Sequence, residues 1–103
     1  MKKIINGKIF DTDKADVIAS RSNGYGFSDF NHCYETLYRT VKGSWFLYGE
    51  GGPLSKYAEP VKGGSAGGRD IIVMTEQEAI DWMQKHNKIE ALEAYFPNEL
   101  GEA

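Results

Sequence analysis

The chain has 103 residues with 41% apolar, 13% aromatic and 26% charged side chains, which is the balance of a single globular domain rather than a disordered segment. Fifteen acids against twelve bases give a net charge of -3, whereas a general nucleic-acid binder carries a basic excess. One cysteine, Cys33, cannot form an internal disulfide or a zinc site alone, so neither staple is expected within residues 1–103. The longest aliphatic run, Ile71–Met74, is far short of the ~20 residues of a membrane span. Met1–Gly7 loses its apolar character too early for a signal peptide, so a cytoplasmic location is expected, with no membrane partner.

In chain order, Asn6-Gly7 lies between Ile4-Ile5 and Ile9-Phe10. A type I′ turn needs positive φ at both central residues, so Lys2–Phe10 reads as a hairpin. Asp11 and Thr12 are capping residues, Ala15, Ile18 and Ala19 share a helical face, and Asn23-Gly24 is a stop. One short N-terminal helix is therefore expected over Lys14–Arg21. Residues Tyr25 to Cys33 read as a loop holding Tyr25, Phe27 and Phe30.

Tyr34–Val41, the turn Lys42-Gly43-Ser44 and Trp45–Tyr48 read as a second hairpin, rich in β-branched and aromatic residues. Alternation sets Leu37 and Val41 on one face, and Tyr34, Thr36, Tyr38 and Thr40 on the other. Gly49–Gly68 holds seven of the twelve glycines plus Pro53 and Pro60, and reads as a long irregular connection. Arg69–Met74 follows as a buried strand. Thr75 and Glu78 form a capping box for a helix whose Ala79, Trp82, Met83 and His86 recur at helical spacing. Asn87 breaks it and caps a second helix with Ile89, Leu92, Tyr95 and Phe96, ended by Pro97. The expected class is α+β: an antiparallel sheet of two hairpins plus one strand, covered by the C-terminal helices.

No chemical signature stands out. The glycine-rich stretches lack the lysine-serine/threonine pair of a phosphate loop. His32 and Cys33 are adjacent, and neighbours on an extended chain point to opposite sides. Asp11, Asp13 and Asp16 lack the twelve-residue calcium-loop pattern. No enzyme, metal or cofactor is expected; a small Cys33–histidine enzyme is the alternative in that class. Charge is uneven: residues 75–103 hold seven acids and two bases, a net of -5, leaving eight acids and ten bases, a net of +2, for residues 1–74. That acidic segment could compete for a basic groove on a partner. Tyrosine, tryptophan and arginine are enriched in interface hot spots, and the expected partner-binding residues are Tyr25, Phe27, Tyr38, Tyr48, Glu50, Tyr57 and Arg69.

Several runs together carry a resemblance: Ile5-Asn6-Gly7-Lys8, Asp11-Thr12-Asp13, Glu35–Arg39, Trp45–Pro53, Ser55–Glu59 and Thr75–Ala79. Across residues 4 to 96 the chain resembles small proteins encoded on phages, prophages and conjugative elements of Gram-positive bacteria. Some of these are similar to anti-CRISPR inhibitors of RNA-guided type II nucleases. The resemblance implies an inhibitor that occupies a CRISPR effector nuclease or its guide-RNA complex and blocks nucleic-acid binding or cleavage. It carries over no catalytic residue. The alternative is a nucleic-acid-binding accessory protein of a mobile element using Lys2, Lys3, Arg39, Lys42 and Arg69; a homodimer is compatible with either.

Overall fold

A computed structural model describes residues 1–103 and has an α+β fold. Strands β1 (Lys2–Ile5) and β2 (Lys8–Asp11) pair antiparallel around Asn6 and Gly7, both with positive φ as a type I′ turn requires. The main sheet is antiparallel in the order β3-β4-β5-β8, where β3 is Asp16–Ser22, β4 Cys33–Arg39, β5 Trp45–Gly51 and β8 Gly68–Met74. A two-stranded ribbon, β6 (Glu59–Val61) and β7 (Gly64–Ala66), lies between β5 and β8 in the chain. Helix α1 (Glu76–Lys85) follows β8 at once, then α2 (Ile89–Tyr95) and a 3₁₀ turn at Pro97–Glu99. None of these helices is long and apolar enough to cross a membrane.

The expected N-terminal helix is absent, and its segment forms β3 instead. Val17 and Ile18 are β-branched, and in an extended chain Arg21 falls opposite Glu35, which it ion-pairs. A helix there would leave that carboxylate without its arginine and one edge of β4 unpaired. Asp11 and Thr12 consequently cap no helix; Asp11 Oδ1 accepts instead from the Asp13 backbone N–H at 2.9 Å. The first hairpin is likewise not a member of the main sheet but a separate two-stranded sheet. Val41 lies beyond the strand end and is 89% exposed, so it does not share Leu37's face. The stretch taken as irregular begins with the last three residues of β5 and contains β6 and β7.

The main sheet separates two cores. Leu37, Trp45 and Leu47 point to the helices and pack on Ala79, Ile80, Trp82, Met83 and Leu92. On the opposite face Phe46 and Ile71 are covered by Phe10 from the N-terminal hairpin, with Phe10 edge-on to Phe46 at 5.6 Å. Thr75 and Glu78 make both bonds of the capping box. Asn87 adopts φ 55°, the left-handed turn that ends α1, but the N-cap of α2 is Lys88, with no side-chain cap bond.

Candidate interaction face

Alternation on β4 puts Glu35 on the helix side with Leu37, where it is fully buried. Arg21 donates from Nε to Oε1 at 2.8 Å, and its Nη2 lies 2.7 Å from the same oxygen. Lys56 Nζ is 2.7 Å from Oε2, which also accepts from the Tyr57 hydroxyl, and Trp82 Nε1 lies 3.5 Å from Oε1. Burial pushes the carboxyl up, but the hydrogen bonds from Lys56, Tyr57 and Arg21 outweigh it and hold it at about 2. Burial and the bond to Glu35 drive the Tyr57 hydroxyl well above its ordinary range. The Tyr57 ring lies across Gly49, where any Cβ would collide with it, so the glycine lets Ser55-Lys56-Tyr57 lie down on the sheet.

The neighbours of this cluster are not poised for nucleophilic chemistry. Cys33 is buried, and burial followed by the Glu35 charge pushes its thiol up, away from the reactive thiolate. His32 turns its Nδ1 to the Asp29 carbonyl at 3.1 Å, while His86 packs beside Trp82 at 4.9 Å. Burial, and after it the Arg21 charge, lower the His86 imidazole below its ordinary range. No group of three or more His, Cys, Asp and Glu side chains converges to hold a metal ion.

The connection from β3 to β4 sets a second group of side chains in solvent. The loop from Asn23 to Asn31 carries Tyr25, Phe27 and Phe30 at 54%, 73% and 65% exposure. Its ends are tied: Asn23 Nδ2 donates to the Asn31 carbonyl at 2.7 Å, and Asn23 Oδ1 accepts from the Cys33 N–H at 3.0 Å. Inside it, Asp29 Oδ1 accepts from the Asn31 N–H at 2.7 Å. Phe27 stands edge-on to His32 at 5.4 Å and leans toward Tyr34 at 6.5 Å. Beside it lies a shallow depression of about 470 Å³ lined by Phe27, His32, Glu50, Glu59 and Arg69. Glu50 faces Arg69 across β5 and β8 and accepts from the Tyr48 hydroxyl at 2.8 Å. Burial and the bond to Glu50 raise that hydroxyl, so it stays a donor.

Of the seven residues expected to meet a partner, the fold thus gathers Phe27, Glu50 and Arg69 around one depression, with Tyr48 behind Glu50. Tyr25 is exposed on the same loop. Tyr38 is half-buried, stacked on Phe46 at 5.0 Å under the N-terminal hairpin. Tyr57 is only 7% exposed and holds Glu35 from inside. Sequence reasoning missed His32 as a wall of the depression and Glu35 as the centre of an ionic cluster. The second had a signal, since an acid in phase with Leu37 on a strand must find partners when that face is buried.

The five bases of the nucleic-acid alternative are not gathered. Lys3 pairs with Asp70 at 2.6 Å. Arg39 and Arg69 are aligned with Trp45 and Glu50 of β5, roughly 17 Å apart along that strand at about 3.4 Å per residue. The acidic side chains of the two helices, Glu76, Glu78, Asp81, Glu90 and Glu93, are all exposed. No protein-family model, curated protein or solved structure matches this chain.

Proposed function

We propose that this protein is a binding inhibitor that acts by covering the surface of a protein partner, using the Tyr25–Phe30 loop and the Glu50–Arg69 depression beside it. The observation that supports the reading best is three large aromatic side chains, each more than half exposed, on a loop tied at its base. Solvent-facing aromatics gain nothing for folding, whereas a pre-organised loop lowers the entropic cost of association. The resemblance to mobile-element proteins points to a CRISPR effector nuclease of type II or its guide-RNA complex as the partner, and to nucleic-acid binding or cleavage as the inhibited step. Such an inhibitor needs no covalent chemistry and works in the cytoplasm of the bacterial host.

Size-exclusion co-elution with a type II nuclease, paired with a DNA-cleavage assay, tests the reading. The expected result is a complex whose stability changes little between low and high salt, because an aromatic contact is weakly screened. A complex that dissolves steeply with salt would transfer the contact to the exposed acids of the helices, acting in place of nucleic acid. Absence of both complex and protection for every such nuclease tried would reject the proposal.

A further inference from the structure

A second site lies on the helix side of the sheet, at the end away from the aromatic loop. Arg39, the last residue of β4, has its guanidinium 5.4 Å from the ring centre of Trp45 and 5.6 Å from that of Tyr95. Trp45 is buried, Tyr95 is partly open to solvent, and Phe96 closes the cluster 5.4 Å from Trp45. Arg39 takes part in none of the chain's three ion pairs, although the protein carries an excess of acids. Asp16, its register partner on β3, does not reach it. Its Nε is buried with no hydrogen-bond partner. A buried N–H of a charged group without an acceptor is costly and rare in native proteins. Next to it, Gly43 turns with φ 89°, and a Cβ there would stand 3.3 Å from Nη2, so the glycine keeps that side of the guanidinium uncrowded.

We propose that Arg39, framed by Trp45 and Tyr95, is a binding site for a carboxylate. A guanidinium set beside two perpendicular rings, with its Nε enclosed, leaves its terminal N–H groups to meet a planar carboxylate through paired hydrogen bonds. One fixed cation matches a single negative charge. A phosphate dianion would call for further cations, and the only other base on the adjoining turn, Lys42, is solvent-exposed. The aromatic walls suit an acid with an apolar stem, such as a glutamate side chain or a small organic acid.

The test is an NMR titration of the whole protein, following the Arg39 Nε–Hε and Trp45 indole signals, with sodium acetate, N-acetyl-Gly-Glu-Gly-amide, inorganic phosphate and sodium chloride. Saturable shifts with acetate or the peptide, lost in a folded Arg39→Lys or Arg39→Gln variant, are expected. The bidentate contact makes the Arg39→Lys affinity lower by about tenfold or more. Saturation by acetate as strong as by the peptide assigns a small acid, and peptide binding about tenfold tighter assigns an acidic protein side chain. Wild-type shifts no different from those in chloride, shifts retained in both variants, or tighter binding of phosphate would each overturn the carboxylate site.

Discussion

The Glu35 cluster and the Tyr25–Phe30 loop are reached from the same strand, yet they show opposite uses of unusual side chains. Around Glu35, a buried charge is surrounded by a guanidinium, an ammonium, a phenol and an indole, all turned inward. In the loop, the backbone is tied while the side chains are turned outward. The first arrangement fixes the Ser55–Tyr57 segment on the sheet. The second leaves apolar area in water that folding does not use. Polar residues inside and aromatic residues outside are both exceptions to simple partitioning, and only the second leaves apolar side chains open to another molecule.

Substitutions can break this contrast in a graded series. The largest effect is expected for Glu35→Ala, which strands Arg21, Lys56 and the Tyr57 hydroxyl without their acceptor. Breaking a buried ion pair costs about 3–5 kcal/mol, and urea denaturation should show an unfolding free energy lower by that amount. Tyr57→Phe keeps the ring over Gly49 and removes one bond to a charged acceptor, costing about 1.5–3 kcal/mol. Thr75→Ala removes the cap of α1 and costs about 1 kcal/mol in the same assay. Phe27→Ala and Phe30→Ala should leave stability within about 0.5 kcal/mol, while a hot-spot role costs about 2 kcal/mol or more of partner binding.

Acid titration sharpens the same comparison. Glu35 is lowered from 4.5 to about 2 on folding, so the unfolded chain takes up its proton first. The stability it contributes is full above pH 4.5 and is lost as the pH falls through 2. Tyr57 is raised, so its contribution is full below pH 10 and fades as the pH climbs beyond that. Far-ultraviolet circular dichroism across both limbs should show the acid limb altered in Glu35→Gln and the alkaline limb altered in Tyr57→Phe. The Phe27→Ala variant should follow the wild type throughout.

What could be read in advance follows from how local the physics is. Asn6-Gly7 and the Thr75/Glu78 box act through their own backbone, and both are found in place. Lys14–Arg21 reads as a helix because the spacing of Ala15, Ile18 and Ala19 is a local signal, while the pairing of Arg21 with Glu35 that draws Asp16–Ser22 into the sheet spans fourteen residues. The ribbon β6-β7 escaped because each strand has three residues and the pair turns on Gly63 at φ 86° amid glycine and proline. For the candidate site, aromatic content marked Tyr25 and Phe27, and nothing local distinguished them from Tyr57, which packs inward only because Gly49 leaves room for its ring.

The most direct measurement is inhibition of a type II nuclease by wild type and by the Phe27→Ala/Phe30→Ala double variant, each first shown to be folded. The account predicts that wild type protects DNA from cleavage and that the double variant needs a concentration about tenfold higher or more for equal protection. Equal potency of the two proteins would contradict it.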